Sequence, residues 1–482
     1  MKKIHTQDLC RAQTWDAQKM RRKGVRMDVN LRAVVLDILL EVSENGSYSH
    51  LVIRQALNKY QYLDKQQRAF MTRLAEGTIE RQLELDYLID YISKTKTAKM
   101  KPVIRNILRM SAYQMKYMNH VPISAVCNEA VKLAVKRGFS SLRGFVNGVL
   151  RNLSRQRDTI AYPAAEENPA LYLSVKYSMP MWIVEHFQTM YEDAVVEQIL
   201  AGFAKDKKTY IRCNRTLTTP ETVKKQLEQE GVTVECVPQC DYAFCIHGYD
   251  YLSDLPSFAQ GLFQVQDLSS IIAGLVVQPK AGDLIIDVCA APGGKCIHAA
   301  ERLAVAEQSG AACGRVQARD ISEHKVELIL SNIARMRTNN ITAKVWDAAV
   351  RDESLVGQVD ILLADVPCSG LGILGRKADV RYKADKENLQ KLVELQRSIL
   401  STVSEYVKEG GELIYSTCTI NEAENFGNVQ WFTEHFPFEI ISVEQDLPFF
   451  DKTRIIKGCV QLLPGIDQTD GFFVAKLRRT HQ

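Results

Sequence analysis

The chain has no apolar run long enough to cross a membrane. Its opening stretch, MKKIHTQDLCRAQTWDAQKMRRKG, is basic but lacks the apolar core of a secretory signal, so a soluble cytoplasmic protein is expected. No internal repeat and no low-complexity tract is visible, which argues against solenoid and disordered classes. The 12 cysteines show none of the short paired spacing of a zinc ribbon. Cys236, Cys240 and Cys245 form the tightest group, but their spacing is irregular and a fourth ligand is missing, so strand-borne thiols and no metal are expected there. Without an export signal the thiols stay reduced, and each needs its own explanation.

What is present begins with charge. Residues 1–155 carry 28 Lys and Arg against 13 Asp and Glu, a balance of +15, and the rest of the chain carries −11. A basic front half joined to an acidic back half suits a polyanionic partner, although a helical domain with solvated Lys and Arg faces would read similarly. At 482 residues with 46% hydrophobic content, the chain is too long for one ordinary core and predicts several folded domains.

Leu31, Val34, Val35, Ile38, Leu39 and Val42 form a helical stripe. Ile104, Ile107, Leu108 and Met115 repeat it behind Pro102, a proline placed where a first helical turn tolerates one. An all-α domain over 28–155 is expected, preceded by a basic extension at 1–27. Residues 156–170 are polar with two prolines and read as a linker. Up to 255, helical stretches near 181–203 and 220–230 alternate with short β-rich pieces at 209–213 and 232–236, as in a small α+β domain. Over 256–482, apolar runs at 284–288, 316–320, 361–365 and 413–416 alternate with helices, and three of them carry an acid at or near their end. That is the rhythm of a Rossmann-like doubly wound α/β sheet, whose ligands bind beyond the carboxyl ends of the strands.

After the first of these strands comes Asp287-Val288-Cys289-Ala290-Ala291-Pro292-Gly293-Gly294-Lys295. A triphosphate loop would need Ser or Thr after this lysine, where Cys296 stands, and the turn lacks the dinucleotide spacing GxGxxG. What remains suits a ligand with a ribose and an amino acid moiety but no pyrophosphate, namely S-adenosylmethionine. Asp320, ending the second strand, is placed to accept from ribose hydroxyls, and Asp347, after the third, from an adenine amino group. Singly, each acid reads as readily as a helix cap or loop residue.

Cys368 in ADVPCSGLG and Cys418 in YSTCT each follow a strand of the same sheet. A free cysteine is ordinarily a small core hydrophobe, yet both lie in polar, turn-forming surroundings. Methylating carbon 5 of a cytosine needs a thiolate that adds to carbon 6, a general base for the carbon 5 proton, and an acid near the ring. Asp365, three residues before Cys368, can serve the ring's nitrogen edge. Spacing does not decide which thiol attacks.

DVCAAPGGK, ADVPCSGLG, YSTCT with Asn421-Glu422 and Glu424-Asn425, and Leu463-Pro464-Gly465 with Asp470-Gly471-Phe472-Phe473 resemble the motif set of the Nop2/Sun family of RNA cytosine-5 methyltransferases. The resemblance implies that Cys418 is the nucleophile and that Cys368 assists product release. It places the S-adenosylmethionine contacts on Cys289, Ala290, Ala291, Pro292, Gly293, Gly294, Lys295, Asp320, Asp347 and Asp365. In the front half, LDKQQRAFMTRLAEGTIERQLELDYLI and VPISAVCNEAVKLAVKRGFSSLRGFVNGVLRN resemble NusB-type RNA-binding domains. That fusion is the layout of bacterial enzymes that methylate 16S ribosomal RNA, with an RRM-like middle domain helping to form the RNA channel. The expectation is therefore 16S ribosomal RNA as partner and no membrane or metal. The sequence does not set the oligomeric state, with a monomer as the default. Transfer RNA as substrate, or a non-catalytic RNA-binding or antitermination factor, are the alternatives.

Overall fold

The computed structural model describes residues 29–307 and 313–481, so the basic extension at 1–27 lies outside the described residues. The front half is helical: α1 (Leu31–Glu44), α2 (Ser49–Lys59), α3 (Lys65–Glu80), α4 (Gln82–Ile92), α5 (Pro102–Tyr117), α6 (Ile123–Lys136) and α7 (Arg143–Gln156). Starts are encoded locally. Asn30 caps α1 by accepting from Ala33 N at 3.0 Å, Asp64 and Gln67 form a capping box on α3, and Pro102 opens α5. The core is built from Val35, Leu36, Ile38 and Leu39 of α1 against Leu74, Ile107, Leu108 and Leu150.

The segment read as a linker is strapped to these helices. Ile160 is buried against them, Tyr87 Oη donates to Ala161 O at 2.8 Å, and Tyr162 stacks on Tyr87 while Lys116 Nζ donates to its hydroxyl at 2.7 Å. Next come α8 (Pro169–Tyr177), α9 (Met181–Gln188) and α10 (Asp193–Phe203). Their apolar faces, with Ile183, Phe187, Ile199 and Phe203, pack on Leu371, Leu374, Ile420 and Leu463, which belong to the last domain.

The middle domain has β1 (Thr209–Cys213), α11 (Pro220–Gln229), β2 (Thr233–Val237), β3 (Cys240–His247) and β4 (Phe263–Val265). They form an antiparallel sheet in the order β2-β3-β1-β4, the ferredoxin-like arrangement shared by RRM domains. Its last strand lies past residue 255, the boundary expected from the sequence, because β1 needs a second neighbour and Phe263–Val265 supplies it. Cys240 and Cys245 are buried in β3 and Cys236 is exposed on β2.

The last domain contains α12 (Leu268–Val276), β5 (Leu284–Asp287), α13 (Gly294–Glu307), β6 (Arg315–Asp320), α14 (Glu323–Met336), β7 (Ile341–Val345), β8 (Val359–Asp365), α15 (Lys386–Ser404), β9 (Val407–Thr417), α16 (Phe426–His435), β10 (Phe438–Ile441), β11 (Ile455–Ile456), β12 (Cys459–Leu462) and β13 (Phe472–Arg479). The sheet order is β11-β12-β13-β9-β8-β5-β6-β7, with β10 also pairing β13. Strands β5 to β9 run parallel and β13 is antiparallel to β9. The chain reverses its direction of growth between β5 and β8, so a ligand crevice opens beyond Asp287 and Asp365. Apolar side chains cover both faces: Ile285, Leu363 and Ile414 on one, Ile286, Leu362 and Leu413 on the other.

Candidate active site

The crevice is floored by the turn between β5 and α13. Val288 N donates to Leu363 O at 3.1 Å and Ala290 N to Arg319 O at 2.8 Å, tying the turn to both neighbouring strands. Gly293 N closes the bend onto Ala290 O at 2.7 Å, and Gly293 adopts φ +105°, a conformation for which glycine alone is suited. The Ala291-Pro292 bond is cis. Cys296 turns inward and donates to Gly293 O at 3.2 Å, so it is a structural thiol. Burial, with the Asp287, Asp320 and Asp365 charges, pushes the half-exposed Cys289 thiol far up, so it stays protonated.

Asp287 is buried, with one carboxyl oxygen 3.3 Å from Cys289 N and the other without a partner among the described residues. Burial, and then the charge of Asp365, pushes its pKa up to about 7. Asp320, also buried, accepts from Ala291 N at 3.1 Å and Ile321 N at 2.8 Å, and pairs with Lys325 at 3.0 Å. It therefore anchors the turn as well as ending β6. Asp347 sits just beyond β7, beside Asp320 through the Trp346 N to Asp320 O bond of 2.9 Å. It is exposed, and its carboxylate accepts from Ala349 N at 2.9 Å.

Lys295 reaches from the first turn of α13 to Asp365, Nζ to Oδ2 at 2.7 Å. Burial alone would lower its pKa, but the Asp365 charge and hydrogen bond outweigh it, so the ammonium is retained. The other Asp365 oxygen accepts from Ser416 Oγ at 2.8 Å, which links the ends of β8 and β9. The sulfurs of Cys368 and Cys418, fifty residues apart in the chain, lie 3.3 Å from each other, both half-buried. Their shared hydrogen bond is the largest influence on each. With burial and the Glu424 charge it pushes Cys368 well up. It lowers Cys418, against burial and Asp365 and with the support of Lys295 and Lys377. The shared contact thus makes Cys418 the more acidic of the two, and either sulfur can donate in it.

Cys368, Cys418, Asp365 and Lys295 thus come together at the mouth of the turn. Three features went unassigned in the sequence. Glu424 is completely buried beneath the two thiol loops and accepts from Ser369 N, Gln396 and Asn421. Gly370-Leu371-Gly372-Ile373-Leu374-Gly375 has the GxGxxG spacing, but Gly372 and Gly375 serve close backbone packing, a Cβ on Gly372 lying 2.2 Å from Gly471 O and one on Gly375 2.8 Å from Phe203 O, and Gly370 serves a turn at φ +68°. The helical front half reaches the segment after this loop, with Ser49 N donating to Asp379 at 3.1 Å and Tyr382 Oη to Glu80 O at 2.9 Å. Among the described residues, no group of three or more His, Cys, Asp or Glu is placed to hold a metal ion.

A glycine turn at the switch point of a Rossmann-like sheet, with acids at successive strand ends, is the layout of a methyltransferase using S-adenosylmethionine, the class to which the chain belongs. The residues present fit that group: a buried Asp287 oxygen without a partner among the described residues, the strand-end carboxylate of Asp320 and the glycine turn with Gly293 at φ +105°.

Residues 274–478 match the sequence model of 16S rRNA methyltransferase RsmB/F, 29–155 that of the NusB family, and 179–249 that of the RsmF/B-like ferredoxin-like domain. The chain is 33% identical over 455 residues to the probable ribosomal RNA small subunit methyltransferase B of Bacillus subtilis (strain 168), covering 93% of this chain and 99% of that protein. It is 31% identical over 456 residues to the protein of the same name from Synechocystis sp. (strain ATCC 27184 / PCC 6803 / Kazusa), covering 94% and 100%. The chain belongs to the ribosomal RNA small subunit methyltransferase B family. In fold it is similar to the crystal structure of PH0851, with TM-score 0.75 and 23% identity over 94% of this chain and all of that one. It is also similar to NSun6 from Pyrococcus horikoshii with SFG, with TM-score 0.54 and 20% identity over 63% of this chain and 99% of that one.

Proposed function

We propose that the chain methylates carbon 5 of a cytidine in 16S ribosomal RNA, with Cys418 as nucleophile and Cys368 managing the proton. The observation that carries this reading is the thiol pair, its sulfurs 3.3 Å apart next to the Lys295–Asp365 ion pair, surroundings that favour Cys418 as the more acidic member. S-adenosylmethionine, when bound, supplies an electrophilic methyl group. The backbone of Cys289, Ala290, Ala291, Pro292, Gly293, Gly294 and Lys295, together with Asp320, Asp347 and Asp365, would hold it.

Carbon 5 of cytosine is a poor nucleophile until a thiolate adds to carbon 6 and turns the ring into an enamine. Lys295 and Lys377 favour the Cys418 thiolate that makes this bond. Asp365, fixed by Lys295 and Ser416, would hydrogen bond the ring's nitrogen edge. Addition removes the Cys418 contact, the largest of the influences that hold Cys368 protonated, so Cys368 gives its proton to water and becomes a base. It then takes the proton from carbon 5. The double bond between carbons 5 and 6 reforms, the carbon–sulfur bond breaks, and Cys418 leaves as the thiolate. The target base must be unstacked to expose carbon 6.

RNA would cross the basic helical half and the ferredoxin-like sheet. A cleft of about 810 Å³ between them is lined by the cations Arg68, Arg73, Arg81 and Lys207 and the aromatic Tyr117 and Tyr251, with the acids Glu76, Glu80, Asp206 and Asp250 among them; the cations and aromatic faces are the groups that would meet a nucleic acid strand. The test is to map 5-methylcytidine in 16S ribosomal RNA and in transfer RNA from cells with and without this protein. A 16S position lost with the protein supports the reading. Loss confined to transfer RNA would give the same chemistry another substrate, and no loss in either pool would refute it.

A further inference from the structure

Glu424 is completely buried, and none of the ion pairs among the described residues includes it. Its carboxylate is satisfied by neutral donors instead. One oxygen accepts from Ser369 N and Gln396 Nε2, both at 2.9 Å, and the other from Ser369 Oγ at 2.5 Å and Asn421 Nδ2 at 3.0 Å. Burying a carboxylate without a cation costs several kcal/mol before hydrogen bonds offset it, so a packed apolar side chain would hold the fold as well.

Three of the four donors belong to the loops that carry the two thiols, and the fourth, Gln396, is tied to one of those loops. Ser369 follows Cys368 directly, and its hydroxyl lies 2.8 Å from Thr419 Oγ1, directly after Cys418. Gln396 on α15 also donates to Pro367 O at 2.9 Å, on the other side of Cys368. Asn421 closes the turn that follows Cys418 and meets His186 Nε2 at 3.2 Å. Glu424 itself is fastened to β9, since Tyr415 Oη donates to its carbonyl at 2.5 Å. One side chain thus grips both loops, and four acceptor sites on two oxygens are what a carboxylate offers and an amide does not.

We propose that Glu424 is a positioning residue for the release step: it clasps the Cys368 loop against the Cys418 loop so that the Cys368 thiol faces the sulfur that must be freed. The inference rests on the functional reading above. Placement errors near 1 Å between reacting groups can cost about 10²-fold in rate. Loosening this clasp should therefore slow release while leaving Cys418 able to attack.

The test uses the full chain with S-adenosylmethionine and 16S ribosomal RNA transcribed in vitro. Glu424→Ala should bind S-adenosylmethionine as the wild type does and keep KM for RNA within a few fold. Its kcat should fall by about tenfold or more as a covalent protein–RNA complex accumulates on denaturing gels. A fall in kcat without that accumulation would mark Glu424 as merely structural, and unchanged release would likewise overturn the proposal. If Glu424→Ala does not fold, Ser369→Ala reads the same step, since it removes the hydroxyl shared between Glu424 and Thr419. It should trap the complex to a smaller extent, and wild-type release there would be refuting. Adding Cys418→Ala to either variant should abolish the complex. A complex that persists without Cys418 would instead sink the nucleophile assignment.

Discussion

Gly372→Ala probes whether the two thiol loops must touch. A Cβ at this position would stand 2.2 Å from Gly471 O, 2.6 Å from Gly471 C and 2.8 Å from Cys418 O, all of them backbone atoms. Gly372 N donates to Cys418 O at 3.1 Å, and Gly471 N donates to Gly372 O at 2.8 Å. Carbon and oxygen normally approach to about 3.3 Å, so the segments have to part by about 1 Å. Overpacking of this kind costs about 1–3 kcal/mol. Weakening two backbone hydrogen bonds adds roughly 1 kcal/mol, for a total of about 2–4 kcal/mol. The same displacement moves Cys418 relative to Cys368 and Asp365 and should lower single-turnover methylation by about 10²-fold, with S-adenosylmethionine binding little changed. Urea denaturation and single-turnover assays check both effects. A variant within about 0.5 kcal/mol of wild type, methylating at the wild-type rate, would refute the argument from loop contact.

Asp287 has a folded-state pKa of about 7, above the usual carboxylate value, so the folded protein holds its proton more tightly than the unfolded chain does. Its stability contribution is complete below about pH 4 and is lost as pH rises through 7. Without cofactor, Asp287→Asn should be more stable than wild type at pH 8, by as much as roughly 4 kcal/mol, with the gain vanishing below about pH 4. Parallel urea curves for the two proteins at pH 5 and pH 8 would contradict this. Replacing Lys136, Arg143, Arg151 and Arg155, exposed cations of α6 and α7, with alanine should weaken RNA binding and flatten the slope of log affinity against log salt by up to about 3. An unchanged slope would show that this face only meets solvent. Asp320→Ala should weaken S-adenosylmethionine binding by about 1–3 kcal/mol in calorimetry, and unchanged affinity would move the ribose contact to another residue.

The catalytic half was the most legible part of the sequence, because a parallel sheet buries both faces of its strands and spells them as continuous apolar runs. The ends of those runs pointed to Asp287, Asp320 and Asp365 by the switch-point rule, while the two cysteines were singled out by their turn-forming surroundings and given roles by the resemblance. In the front half the stripe through Val35, Ile38 and Leu39 found the core side of α1 but passed over Leu36, which is also fully buried because neighbouring helices wrap more than one face. The helices at 181–203 were visible as helices while α8 was not, and nothing in their pattern says that their apolar face meets Leu371 and Ile420, some 170 to 240 positions away, rather than the adjacent sheet. Glu424 was quoted within a motif without a role for a similar reason. Its partners Ser369 and Gln396 lie 55 and 28 residues away, and only the packed structure brings them to one carboxylate. Asp347 was read as a ligand from its place after a strand, and it now caps its own loop at Ala349 N, a use that strand-end position does not distinguish from the other.

The central claim is that Cys418 bonds to carbon 6 of a cytidine in 16S ribosomal RNA. It is tested most directly by trapping the protein on that RNA, digesting both polymers, and locating the nucleotide on the peptides by mass spectrometry. The account predicts a methylated cytidine on the peptide that contains Cys418, and none on the peptide that contains Cys368. A nucleotide carried by Cys368, or methyl transfer undiminished in Cys418→Ala, would contradict it.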